Sequence, residues 1–348
     1  MERAAASIAA LIGADADEIT FASGASEADN LALLGIGRGA AGGKRNRILV
    51  SATEHKSILA PCRALQVQCG YRIEHLPVDH EGFVVLDTLR ASIADDVLLV
   101  SVMAVNNEIG TIQPVAEIAQ LAQEHGALFH CDAAQGPCGM DVSTLAAHTD
   151  LISLSGHKMY GPKGIGALRI RRSLQECIEP LIYGGGQQGD LRSGTVPVPL
   201  CVGMAAAADL LHEEKARPER ARLRVFSKNF VQRLEAARID FALNGPHSKS
   251  RHPGNLNMRF AGFDARDMLG VLQPRVAAST GSACTTGTPE SSHVLNAIGL
   301  SDEEAESCIR FSLGRYTTGN DVDEAVSLVA HALGRLDRTL DATMHEEA

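Results

Sequence analysis

Asp132 closes the apolar run Ala127-Leu-Phe-His-Cys-Asp132, and Lys158 follows the next one, Asp150-Leu-Ile-Ser-Leu-Ser155-Gly-His157-Lys158. If both runs are strands of an open α/β sheet, the carboxylate and the amine can converge outside the carboxyl ends, where such sheets bind ligands. That pair has a definite chemistry. A lysine amine condenses with an aldehyde only when deprotonated, and burial drives it toward that form. A buried carboxylate opposite a pyridine nitrogen keeps that nitrogen protonated, which makes the ring an electron sink. A single lysine is ordinarily a solvated surface residue, but Lys158 is flanked by apolar residues, Gly and Ser rather than by charge.

Other segments carry supporting groups. Gly24-Ala25-Ser26 stands between a strand and a helix, where small residues and free N–H groups suit a phosphate; a capped turn is the plainer use of the same residues. His55, in Thr53-Glu-His55-Lys, can stack on an aromatic ring or shuttle protons. Asn107, in Val105-Asn-Asn107-Glu-Ile-Gly, can donate to a ring phenol or a carboxylate, and both are also ordinary structural polar residues. Arg310 sits in the apolar strand Cys308-Ile-Arg310-Phe, where it needs an anionic partner, either a bound carboxylate or an internal ion pair. Cys284 lies in the loop Ser279-Thr-Gly-Ser-Ala-Cys284-Thr-Thr-Gly-Thr. Its Gly, Ser and Thr content predicts an exposed, mobile thiol, either a nucleophile or an incidental surface cysteine. His55, His130, Asp132 and His157 are a set of metal-ligand types, but nothing has the i, i+4 spacing of a zinc helix. No resident metal is expected.

The elements that must position these groups are legible in outline. Strand-like runs recur at 18–22, 47–52, 97–105, 127–131, 150–154 and 165–170, with helical stretches such as 57–69 and 114–125 between them. That alternation predicts an α/β domain with a mainly parallel, buried sheet. After Val198 the rhythm changes to a long helical segment and then shorter pieces at 239–243, 254–260, 264–272 and 276–280. A last helix is expected over 321–340 and a disordered tail over 342–348. The reading places a large domain at 1–215 and a small C-terminal α+β domain at 216–348, carrying the cysteine loop. The 348 residues suit two domains. The net charge of −10 argues against a nucleic-acid or anionic-membrane surface. No run reaches the length of a membrane span. The eight cysteines include no C-x-x-C pair, and in a chain this large with no secretion signal they read as reduced, mostly buried thiols in a cytoplasm.

Taken together, the segments resemble cysteine desulfurases of the iron–sulfur-cluster assembly type, class-V aminotransferase-like members of the pyridoxal-phosphate (PLP) fold-type I superfamily. The resemblance is carried in order by Gly24-Ala-Ser-Glu, Thr53-Glu-His-Lys, Val105-Asn-Asn-Glu-Ile-Gly, His130-Cys-Asp-Ala-Ala-Gln, Ser155-Gly-His-Lys-Met-Tyr-Gly-Pro-Lys-Gly, Arg192-Ser-Gly-Thr, Pro253-Gly-Asn-Leu-Asn, Gly281-Ser-Ala-Cys and Ile309-Arg-Phe-Ser. It implies a fold-type I large domain with a seven-stranded, mainly parallel sheet. It implies that Lys158 carries the cofactor and that Ala25, Ser26, Ser155 and His157 bind its phosphate side, joined by Thr195 from the second subunit of a homodimer. His55 stacks on the ring, Asp132 holds its nitrogen and Gln135 its phenolic oxygen. Asn107 and Arg310 hold the carboxylate of the substrate, L-cysteine. The Lys158 amine takes the Cα proton, the Cys284 thiolate takes the sulfur as a persulfide, and L-alanine leaves. The sulfur then passes to acceptor proteins, either cluster scaffolds or thiolation proteins, with Cys284 as a transient ligand to a cluster.

The sequence departs from the family pattern in three places. A further N-terminal segment, with an Ala-Thr-Thr-Pro-like stretch lining the site, has no counterpart here. Gly186-Gln-Gln-Gly-Asp-Leu-Arg192 lacks the usual Glu-Arg, which bears on the subunit contact. Ala134 stands where Thr is usual. Two alternatives therefore stand beside the desulfurase: a truncated paralogue with another PLP reaction, and a non-catalytic partner protein.

Overall fold

Seven strands build the larger sheet: β1 (Ile19–Ala22), β2 (Arg47–Ser51), β3 (Arg72–Leu76), β4 (Val97–Ser101), β5 (Leu128–Asp132), β6 (Leu151–Ser155) and β7 (Gly166–Ile170). These belong to a computed structural model that describes residues 1–247, 249–280 and 291–346, with side chains to residue 337. The spatial order is β1-β7-β6-β5-β4-β2-β3. The run from β6 to β3 is parallel, whereas β7 is antiparallel to both β6 and β1. The parallel strands are nearly continuous apolar runs because helices cover both faces. Alternation then divides their side chains: Leu49, Ile152 and Leu154 enter one core, and Ile48, Val50 and Leu151 the other. Each such side chain taken from water contributes roughly 1.5–3 kcal/mol.

The chain divides into two units. One comprises residues 1–79, 83–106 and 112–217, and the other 80–82, 107–111 and 218–348. Asn107 thus belongs with the second unit, because the segment after β4 leaves the first sheet's set of contacts for a few residues. The second unit holds β8 (Ala242–Asn244), β9 (Asn255–Arg259), β10 (Ser279–Thr280) and β11 (Cys308–Ser312), antiparallel in the order β10-β11-β9-β8. Its core gathers Met258, Phe260, Val329 and the ring pair Phe230–Phe311, with centroids 5.1 Å apart.

Three elements differ from the sequence reading. β4 stops at Ser101, and the apolar residues up to Val105 continue as coil with one isolated bridge to Ile112. β3 was not foreseen: Arg72-Ile-Glu-His-Leu76 is an edge strand, so its polar content is tolerated. The final helix spans Gly319–Glu346, through much of the stretch expected to be a disordered tail.

The free edge of β1 is closed from within the chain. The Gln188 side chain accepts from Phe21 N at 2.7 Å and donates to Phe21 O at 3.0 Å, taking the place of a further strand. At the other end of the same strand pair, Arg169 and Glu18 form a buried ion pair. The guanidinium also donates to Thr149 O, and Glu18 Oε1 accepts from Arg172 N.

Candidate active site

Strand register brings the first group together. Ala22 pairs with Gly166, and Gly166 with Ser155. A Cβ at position 166 would lie 2.5 Å from the Gly24 carbonyl carbon, so only glycine lets the turn after β1 lie against β7. The helix Ala25–Gly39 begins at that turn, with Ala25 half-buried and Ser26 exposed in its first turn. Its leading N–H groups carry the partial positive charge that favours an anion. At the end of β6, Ser155 Oγ lies 3.2 Å from His157 Nδ1, and a single tight turn spans Gly156–Lys158. Gly161 N closes back on Gly156 O at 2.8 Å. Tyr160 holds a left-handed backbone at φ 67°, a conformation that non-glycine side chains adopt at a cost and that recurs at functional sites. Lys158 itself is exposed. The expectation of a buried amine is corrected: Lys158 stands just past β6, as the sequence placed it, but the turn Gly156–Lys158 carries its side chain into an exposed position.

Asp132 ends β5, paired with Ser153 of β6, and its Oδ1 accepts from Ala134 N at 2.8 Å. Burial pushes its carboxyl up to about 6, against the lowering influence of that N–H and of the Lys158 charge. At neutral pH it is therefore an ionised carboxylate held in a poorly solvated place. Two more carboxyls lie in the same interior. Glu54 is buried, with Oε1 accepting from Met103 N at 2.7 Å, and burial raises it well above the usual range. Asp29 is raised likewise, first by burial and then by the charge of Asp132. His130 lies between the Ser101 and Ser153 hydroxyls at 2.9 and 3.0 Å, and burial lowers its pKa to about 3. Its 3.7 Å approach to Asp29 is thus not an ion pair.

His55 is the N-cap of the helix Lys56–Cys69, its Nδ1 accepting from Ser57 N at 3.1 Å. Gln135 follows Asp132 half-buried, at the start of a short helical turn. Thr195 is exposed, three residues beyond Arg192, which pairs with Glu27 at 2.8 Å. In the second unit, Arg310 Nη1 donates to the Asn107 carbonyl at 2.7 Å, while its buried Nε has no hydrogen-bond partner among the described residues. A buried donor left unpaired costs stability, and a carboxylate would satisfy it. Cys284 lies outside the described residues. Of the others, Cys62, Cys131, Cys138, Cys201 and Cys308 are buried, Cys69 is half-buried and Cys177 is exposed. Burial pushes the Cys308 thiol up to about 11 and Cys62 to about 12, which makes them poor nucleophiles.

Sequence reasoning missed Asp29, Glu54 and Ser57. The signal for Asp29 was available: Ala32, Leu33 and Ile36 follow it at i+3, i+4 and i+7, which places its carboxyl on the buried stripe of the helix.

Residues 1–325 match the aminotransferase class-V family. The chain belongs to that family. Class-V aminotransferases use pyridoxal phosphate, and this chain is accordingly a PLP-dependent enzyme. Among relatives, the cysteine desulfurase IscS of Rickettsia rickettsii (strain Iowa) is 43% identical over 336 residues, which are 97% of this chain and 81% of the relative. A solved NifS-like protein superposes with a TM-score of 0.87 at 31% identity, covering 96% of this chain and 87% of that one. DndA from Streptomyces lividans gives 0.76 at 37% identity, covering 89% and 87%. The residues present fit the cofactor of this family. Asp132 offers a buried carboxylate ionised at neutral pH, and the Ala25–Gly39 helix offers an N-terminus beside the Ser155–His157 end of β6. Among the described residues, no helix is long and apolar enough to cross a membrane.

Proposed function

We propose that this class-V aminotransferase is a cysteine desulfurase, releasing L-alanine from L-cysteine and delivering the sulfur to an acceptor protein. The observation that carries the reading is the likeness to cysteine desulfurases over 97% of the chain. Pyridoxal phosphate, when bound, supplies a ring that takes up the charge left when a bond at the substrate α-carbon breaks. The protein supplies the rest. Lys158 carries the cofactor, and its Nζ takes and returns the Cα proton. Asp132 holds a proton on the ring nitrogen, Gln135 holds the phenolic oxygen and His55 stacks on the ring. Ala25, Ser26, Ser155 and His157 hold the phosphate, with Thr195 contributed by the second copy in a homodimer. Asn107 and Arg310 orient the substrate carboxylate, in keeping with an Arg310 Nε that has no partner among the described residues. The Cys284 thiolate attacks the substrate sulfur and the Cβ–S bond breaks with its electron pair passing to the carbon fragment, which is protonated and leaves as L-alanine while the sulfur stays on Cys284 as a persulfide. The acceptors are proteins of cluster or thio-cofactor synthesis in the cytoplasm.

The test uses purified protein. Added pyridoxal phosphate should give a visible absorption band that is changed in Lys158→Ala, and cysteine should then yield alanine in the wild type. Cys284→Ala should bind the cofactor and yield no alanine. A wild-type protein that stays colourless, or a Cys284→Ala variant as active as the wild type, refutes the proposal.

A further inference from the structure

The hydroxyl of Ser57 stands between two groups that the proposed mechanism does not connect. Ser57 Oγ is 2.6 Å from Asp29 Oδ2 and 2.7 Å from His55 Nδ1. The backbone N–H of Ser57 also donates to the same Nδ1, at 3.1 Å. A serine hydroxyl has one proton, so the direction of this chain of hydrogen bonds depends on Asp29. With Asp29 ionised, Ser57 donates to the carboxylate, His55 must donate from Nδ1, and the Ser57 backbone N–H then loses its acceptor. With Asp29 protonated, Asp29 donates to Ser57 Oγ, Ser57 Oγ donates to Nδ1, and the backbone N–H keeps its bond. Only the second arrangement places a proton in each of the three contacts, with the hydroxyl and the backbone N–H sharing the single Nδ1 lone pair.

We infer that Asp29 is a positioning residue that, through the Ser57 hydroxyl, fixes His55 as the neutral tautomer with its proton on Nε2. The surroundings agree with a protonated Asp29. The residue is fully buried on its helix, close to the ionised Asp132 and to neutral His130, and Glu54 lies in the same interior. The Ser57 and Ser153 hydroxyls offset its burial only in part. The inference rests on the proposed reading in one respect: His55 is taken to serve the cofactor ring. The tautomer then decides which nitrogen holds the proton available for chemistry, and it holds the imidazole in one orientation.

The experiment is nitrogen NMR of the histidine rings in the purified, 15N-histidine-labelled protein, with the His55 signals assigned by their loss in His55→Gln. The wild type, Asp29→Asn and Ser57→Thr should show His55 protonated at Nε2, because an asparagine amide can donate to Ser57 as a protonated aspartic acid does. Ser57→Ala leaves only the longer 3.1 Å backbone contact to hold Nδ1 as the acceptor, and should shift His55 toward a mixture of tautomers. In the alanine assay Ser57→Ala should lose about threefold to tenfold in kcat, as for one lost hydrogen bond, with Ser57→Thr restoring the rate. A wild-type His55 protonated at Nδ1, a changed tautomer in Asp29→Asn, or an unchanged one in Ser57→Ala overturns the inference. The tautomer is read without turnover, so failure of the desulfurase assay in the wild type refutes the function and leaves the relay separately decided.

Discussion

Asp132→Asn should stabilise the cofactor-free protein while disabling the enzyme, and the size of that gain should depend on pH. Burial raises the Asp132 carboxyl from its ordinary 3.8 to about 6, which corresponds to about 3 kcal/mol at 1.36 kcal/mol per pH unit. For an acid raised on folding, the cost is absent below pH 3.8, where both states hold the proton. Stability then falls as pH rises from 3.8 to about 6, and the full cost persists above that. Asparagine carries no such cost at any pH. Urea unfolding of both cofactor-free proteins at pH 4.5 and pH 8 should show the stability difference between them moving by about 2 kcal/mol in favour of Asp132→Asn at the higher pH. Any constant effect of the amide, such as its contact with Ala134 N–H, cancels between the two pH values. A difference that stays the same, or moves the other way, refutes the argument that Asp132 is held ionised against its surroundings. Pyridoxal phosphate should then stabilise the wild type at pH 8 more than it stabilises the variant, since a protonated ring nitrogen gives the carboxylate a partner. Alanine formation should fall by at least about a hundredfold in the variant, the scale for losing a preorganised charge at a reacting centre.

Arg310→Lys keeps a positive charge but loses the planar fork, and with it the buried Nε donor. The KM for cysteine should rise about tenfold or more with cofactor binding unchanged, as read from steady-state kinetics and the absorption band. Glu18→Gln breaks a buried ion pair and leaves the Arg169 guanidinium under-compensated beneath the β1 edge. Unfolding free energy should fall by about 3 kcal/mol, measured in the cofactor-free protein.

The sequence by itself determined which residues could do chemistry and roughly where they fall in the fold. Near-continuous apolar runs ending in Asp132 and Ser155 can be little other than buried parallel strands, and a charged group just past such a strand is held at a sheet's carboxyl edge. β3 escaped notice because an edge strand is half solvated and need not be apolar. Only the tertiary structure decided the protonation and pairing of these groups. Nothing in the spacing of Asp29, His130 and Asp132 says that they share one dry interior, with the half-buried Ser57 at its edge, because that follows from the order in which strands pair and helices cover them. Proximity and exclusion of water set the pKa of a carboxyl, and both are properties of the folded chain rather than of the residue type. The same holds for Arg310, whose position in an apolar strand announced a need for a partner, while the Nε left unpaired among the described residues is visible only once the fold has paired Nη1 with the Asn107 carbonyl.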